Sequence, residues 1–123
     1  MVVSMASDSA LRSAVHDAVS HTQGFGNVVS RCEAAEVIGR VLALFPVAAA
    51  ALCGSFAREE QGPDSDIDLL VSFKPGSRLV DAEATREALE YATGRDVDLI
   101  TTLDGQTKAF RDSVLRDGVR IYG

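Results

Sequence analysis

The sequence predicts a small α/β domain of the α+β type, a mixed sheet flanked by helices with one extra helix at the N-terminal side. Three observations carry this expectation. Segments with apolar residues at helical spacing alternate with short apolar runs of strand length. One of those runs is opened by an Asp-x-Asp pair, Asp66-Ile67-Asp68, and the run before it closes on a Gly54-Ser55 turn. Finally, 123 residues suffice for one core that buries roughly two-thirds of the unfolded chain's surface.

The elements follow in order. Leu11, Ala14, Val15, Ala18 and Val19 recur at helical spacing between Ser7 and about Gln23, and Gly24-Phe25-Gly26 then reads as a flexible break. Residues 1–26 are therefore taken as an N-terminal helical extension and residues 27–123 as the main domain. Met5 is an alternative initiator. Ser30 with Glu33 three residues later forms a capping-box pattern, and Ala34, Val37, Ile38, Val41, Leu42 and Phe45 make one apolar stripe that Pro46 stops. Val47–Cys53 is a continuous apolar run bounded by Pro46 and Gly54, which favours a strand although its four alanines are weak strand formers.

A turn-rich loop, Glu59 to Ser65, leads to the strand Asp66–Phe73, closed by Lys74-Pro75-Gly76. Alternation along a strand sets Asp66 and Asp68 on one face and Ile67, Leu69 and Val71 on the other. A helix over Asp81–Thr93, a strand over Arg95–Thr101 and a helix over Asp104–Asp117 come next. The apolar tail Val119-Arg120-Ile121-Tyr122 adds a final strand.

With 46% hydrophobic and 24% charged residues the chain has the balance of a globular protein, and no segment approaches a membrane span. The N-terminus lacks the basic flank and long apolar stretch of a secretion signal, so a cytoplasmic location is expected. Cys32 and Cys53 have neither the number nor the spacing of a disulfide framework or zinc site, and both are read as core residues. A net charge of −6 opposes general nucleic-acid binding, which depends on neutralising phosphates with Lys and Arg. His16 and His21 are five residues apart, share no helical face and are read as surface residues. Asp64, Asp96 and Asp104 suit turns or caps.

Chemistry concentrates between Gly54 and Asp68. Two carboxylates fixed on one face of a strand repel each other unless a cation lies between them, and Mg2+ prefers such oxygen ligands. A glycine between a strand and a short helical turn lets backbone amides approach an anion, Ser55 adds a hydroxyl, and Arg58 is a further candidate for phosphate. Asp98, interrupting Val97-Asp98-Leu99-Ile100, offers a third carboxylate from a neighbouring strand. Three acids suit two metals, one activating an attacking hydroxyl and one holding a triphosphate, with a carboxylate taking the hydroxyl proton. Position alone does not separate Asp98 from Asp96 as that base.

Gly54-Ser55-x10-Asp66-x-Asp68, with Ala57-Arg58, Ser65 and the downstream Val97-Asp98-Leu99-Ile100-Thr101, resembles the polymerase-beta-type nucleotidyltransferase superfamily, and the brevity of the chain resembles its minimal nucleotidyltransferase (MNT) family. The resemblance covers roughly residues 30–123, including the Val-Arg-Ile-Tyr-Gly end. It implies a polymerase-beta-like fold, nucleotide binding at Gly54, Ser55, Arg58 and Ser65, and Mg2+ held by Asp66, Asp68 and Asp98. It also implies that Asp98, rather than Asp96, assists the hydroxyl attack.

Members that end soon after the last strand lack an acceptor-binding domain and resemble the MntA-type antitoxins of HEPN-type RNase toxins, which move AMP from ATP onto a toxin tyrosine. The implied substrate is ATP and the implied partner a HEPN-type toxin from the adjacent gene. Two other activities fit the same residues: transfer to a small molecule or an RNA end with a partner subunit binding the acceptor, and a non-catalytic antitoxin with a vestigial nucleotide site. The family commonly has Gly after the Ala-Arg step, where this chain has Glu59-Glu60.

Overall fold

The computed structural model describes residues 8–123, and Ser7 and Met5 lie outside the described residues. The elements are α1 (Asp8–Val19), α2 (Arg31–Leu42), β1 (Val47–Cys53), α3 (Gly54–Arg58), β2 (Ile67–Phe73), α4 (Leu79–Thr93), β3 (Val97–Ile100), α5 (Lys108–Asp117) and β4 (Val119–Tyr122). The four strands form one mixed sheet in the order β3-β2-β1-β4, with β1 antiparallel to both β2 and β4 and β2 parallel to β3.

The expected α/β architecture is present, and its core follows the apolar periodicities. Leu11, Val15 and Val19 of α1 and Val37, Ile38, Val41 and Leu42 of α2 are buried in one cluster with Leu52 of β1, Ile67, Leu69 and Val71 of β2 and Ala88, Leu89 and Ala92 of α4. Helices α2 and α4 thus cover one face of the sheet, and α1 packs on these two helices. Burial of this apolar area drives the fold at about 25 cal/mol per Å² removed from water.

Local chemistry sets most of the boundaries. Ser30 caps α2, its hydroxyl accepting from the Glu33 backbone N–H at 3.1 Å. The returning arm of the predicted capping box is displaced by one residue, because Glu33 Oε1 accepts from the Val29 N–H at 2.9 Å. Helix α1 ends at Val19, short of Gln23, where Thr22 turns back and its hydroxyl donates to the Val19 carbonyl at 2.6 Å. The 24–26 segment is docked rather than flexible. Gly26 and Val28 N–H donate to the Ala92 and Thr93 carbonyls at 2.7 and 3.0 Å, and Phe25 packs edge-on between His16 and Tyr91. Gly94 allows this approach, since a Cβ there would collide with the Gly26 carbonyl.

Several expectations are corrected. Helix α4 starts at Leu79, two residues before Asp81, which instead sits in its first turn and accepts from the Arg78 backbone N–H at 2.8 Å. Leu79 and Val80 are exposed, so the start carries no core periodicity. Helix α5 starts at Lys108 rather than Asp104, because Gly105 adopts a left-handed φ of 81° and Thr107 supplies the cap, its hydroxyl accepting from Phe110 N–H at 3.1 Å. Strand β3 is confined to Val97–Ile100. Cys53 is buried as expected, but Cys32 is exposed. It lies on the α2 face shared with Glu36 and Arg40, opposite the Ala34–Val37–Ile38–Val41 stripe. Among the described residues no helix is long and apolar enough to cross a membrane.

Candidate active site

The turn from β1 into α3 places the first part of the site. Strand β1 ends at Cys53, and Gly54 begins α3 with φ of 65°, in the left-handed region that glycine adopts without strain. A side chain there would also run into Asp68 Oδ2. Gly54 therefore meets two demands at once, turning the chain and leaving room for a carboxylate. Helix α3 is anchored by Phe56 and Ala57, both buried, so Ser55, next after Gly54, is held on fixed backbone.

Sheet register supplies the acids. Asp68 on β2 pairs across the sheet with Cys53 on β1 and with Asp98 on β3, so Cys53, Asp68 and Asp98 follow one another across three adjacent strands at one end of the sheet, with Gly54 next in the chain after Cys53. Asp66 directly precedes β2. The carboxyl of Asp68 is raised above the ordinary carboxylate range, first by burial, then by the negative charges of Asp98 and Asp66, with Arg58 opposing. The structure thus sets Asp68 within electrostatic reach of both Asp98 and Asp66. Among the described residues no three His, Cys, Asp or Glu side chains are closed into a ready metal cage. The donor set is all oxygen, which suits a hard divalent cation such as Mg2+, and the crowding on Asp68 is what such a cation would relieve.

A raised carboxyl has a definite consequence for stability. The native state holds the Asp68 proton more tightly than the unfolded chain does, so the ion-free protein loses stability as pH rises through the elevated native value. That stability returns as pH falls toward the ordinary carboxylate value. Melting temperatures in chelator measured from neutral pH downward are expected to show this contribution from wild type and not from Asp68→Asn.

The family model described as Nucleotidyltransferase domain matches residues 34–121, most of the chain. The chain belongs to the nucleotidyltransferase domain family. It is 36% identical over 72 residues to the "Putative protein adenylyltransferase MJ0435" of Methanocaldococcus jannaschii, covering 58% of this chain and 76% of that relative. Among solved structures, "Structure of putative minimal nucleotidyltransferase" is 34% identical with a TM-score of 0.57, covering 69% of this chain and 86% of that one. "Crystal structure of the toxin-antitoxin with AMP-PNP" is 23% identical with a TM-score of 0.55, covers 68% of each chain and shares the fold. The fold of this nucleotidyltransferase is therefore that of the minimal members.

The remaining candidates are engaged within the protein. Arg58 Nε lies 2.9 Å from Glu60 Oε1, and the guanidinium is exposed at the mouth of the site. Glu59 takes a left-handed φ of 58°, the conformation that explains a glycine at this step, and pairs with Arg31 at 3.4 Å. The two glutamates thus each face an arginine. Because Glu60 competes with any phosphate for Arg58, Glu60→Gln is expected to tighten nucleoside triphosphate binding by about two- to fivefold, the scale of an exposed ion pair. Calorimetric titration with a non-hydrolysable triphosphate reads this, and weaker binding would show that Glu60 supports the site. Ser65 is turned into its own loop, its hydroxyl accepting from Gly62 N–H at 2.8 Å.

Two residues that sequence reasoning missed organise this nucleotidyltransferase. Arg95 donates to the carbonyls of Val28, Gly62 and Ser65 at 2.8, 2.9 and 2.8 Å and lies over the Phe56 ring at 4.9 Å. It ties the loop before Asp66 to α3 and to the segment before α2. Arg31 reaches the Ala57 carbonyl at 2.9 Å. A planar guanidinium reaches these spread carbonyls with five N–H donors in a fixed fork, where an ammonium offers three from a single atom. Arg95→Lys is therefore expected to cost about 2–3 kcal/mol of stability, measured by urea unfolding; an unchanged midpoint would show the loop to be held by other contacts.

Proposed function

We propose that the protein is a Mg2+-dependent nucleotidyltransferase that moves AMP from ATP onto a hydroxyl of a partner protein, as the antitoxin of a HEPN-type toxin. The observation that carries this reading is the row from the Gly54 turn through Asp68 to Asp98 across one end of the sheet, with Asp66 at its edge. The adenylyltransferase relative and the toxin-antitoxin fold neighbour support the choice of nucleotide and of acceptor.

Gly54 amides and the Ser55 hydroxyl bind the phosphates, with Arg58 joining them once released from Glu60. Asp66, Asp68 and Asp98 would hold Mg2+, which when bound supplies charge neutralisation at the triphosphate and lowers the cost of ionising the attacking hydroxyl. Asp98 takes the proton of that hydroxyl. The hydroxyl oxygen forms a bond to the α-phosphorus as the bond to the β-phosphate oxygen breaks, and pyrophosphate leaves with the electron pair. The alignment needs the entering and leaving oxygens on opposite sides, and Gly54-Ser55 and Asp98 lie on opposite sides of Asp68.

The test is incubation with labelled ATP, Mg2+ and the product of the adjacent gene. Label on the partner, lost in the folded Asp66→Asn/Asp68→Asn double variant, is expected; an unlabelled partner with both proteins rules the reading out. A second reading, neutralisation by binding alone, is favoured by the Arg58–Glu60 pair, which occupies a phosphate contact. It prevails if the double variant still neutralises the partner fully.

A further inference from the structure

Helices α2 and α4, with α1 packed on them, cover one face of the sheet, and the other face carries a groove of about 550 Å³. Its floor is Ala49 and Ala51 of β1 with Leu70 and Ser72 of β2, one wall is the 101–103 segment, and Arg120 of β4 stands at the opposite side. The register sets Ala51 beside both Leu70 and Arg120, and Cys53 beside Asp68. The groove therefore starts one same-face step from Asp68, about 7 Å along the strand. Its wall continues directly from β3, the strand that carries Asp98. The 101–103 wall of the groove lies on the Asp98 side of Asp68, and its β1 floor and Arg120 lie on the Gly54 side, so a segment lying across the groove passes both the base and the phosphate site.

The chemistry of the groove selects among acceptors. Small alanines leave an apolar floor with room for a side chain or a flat ring, and hydroxyls at Ser72, Thr101 and Thr102 border it. The Arg120 guanidinium has no ion-pair or hydrogen-bond partner among the described residues. An uncommitted cation beside an apolar floor suits a carboxylate on an apolar peptide. It repels a polycationic sugar, and the floor offers no aromatic ring for an RNA base to stack on. Arg120 stands two strands and one same-face step from Asp68, about 10–12 Å away. That is about three residues of extended chain.

We infer that the uncovered sheet face is the acceptor-docking surface, and that its occupant is a peptide segment of the partner with apolar side chains on Ala49, Ala51 and Leu70 and a carboxylate on Arg120 about three residues from the modified hydroxyl. This rests on the transfer reading above and deepens it by giving the acceptor its chemistry.

The experiment uses the full chain and a fluorescein-labelled random Glu/Ala/Tyr copolymer as probe, followed by anisotropy without nucleotide and by transfer of labelled AMP. Lys/Ala/Tyr copolymer, oligoadenylate and kanamycin serve as comparators. The Glu copolymer is expected to bind at least about tenfold more tightly than the Lys copolymer. Arg120→Glu should remove that preference, and Ala51→Leu, which fills the floor, should weaken binding, while both variants bind a non-hydrolysable triphosphate as wild type does. Equal binding of both copolymers, insensitivity to Arg120→Glu, or preferential labelling of oligoadenylate or kanamycin overturns the assignment. Copolymer that binds through Arg120 but takes no label supports the surface and counts against the transfer reading, so the two fail separately.

Discussion

Asp68→Asn is expected to lower nucleotidyl transfer by about a hundred- to thousandfold, the scale of losing one preorganised charge at a phosphoryl-transfer site, and to raise the melting temperature of the ion-free protein. Both effects have one cause. Asp68 sits half-buried between β1 and β3, where desolvation and the charges of Asp98 and Asp66 disfavour its ionised form. Asn keeps the shape and removes the charge, so the folded protein gains while the site loses its central acid. Added Mg2+ should stabilise wild type more than the variant, because only wild type sets the Asp68 carboxylate against the charges of both Asp98 and Asp66. Thermal melts with and without Mg2+, beside initial rates, read all three. A variant that melts lower than wild type in chelator would show that Asp68 is held by favourable contacts, and the crowding argument would be wrong.

Gly54→Val is expected to abolish transfer through a position that carries no functional group. Gly54 has φ of 65°, and a Cβ there would enter the space of Asp68 Oδ2. A β-branched residue meets backbone strain of about 1–3 kcal/mol and a clash with the carboxylate. Relief by either route moves the backbone amides of α3 or turns Asp68 away. Rates should fall by about a hundredfold or more, with a measurable loss of stability. Gly54→Ala should fall in between, since it shares the φ strain and the first contact but has no further branches. Wild-type rates in the valine variant would mean that the β1–α3 turn has no part in the reaction. Stability and rate together separate this from Asp68→Asn, which lowers the rate while raising stability.

Much of this arrangement was legible in the sequence because it depends on local rules. Val47–Cys53 is a strand at the bounds its flanking Pro46 and Gly54 suggest, despite its alanines. Ile67, Leu69 and Val71 are buried while Asp68 is not, as alternation requires. Burial of Leu11, Val15 and Val19 follows the helical period. The exposed Cys32 was also legible, since it falls off the α2 stripe, and the general burial preference of cysteine obscured that. The start of α5 turned on two competing caps, Asp104 and Thr107, and the positive φ of Gly105 decides between them. Arg95 could not be read from sequence, because its role exists only where Val28, Gly62 and Ser65 converge from separate segments. The same holds for Glu59 and Glu60, whose charges oppose phosphate on paper and are each faced by an arginine in the fold.

A nucleotidyltransferase site moves the α-phosphoryl group with its nucleoside, where a kinase site moves the terminal phosphate. Parallel incubations with ATP labelled at the α- or the γ-phosphorus, Mg2+ and the adjacent gene product distinguish the two directly. Retention of α-label on the partner with γ-label appearing as pyrophosphate is expected, both lost in Asp66→Asn/Asp68→Asn. Gamma-label on the partner, or α-label that never leaves the nucleotide pool, would contradict nucleotidyl transfer.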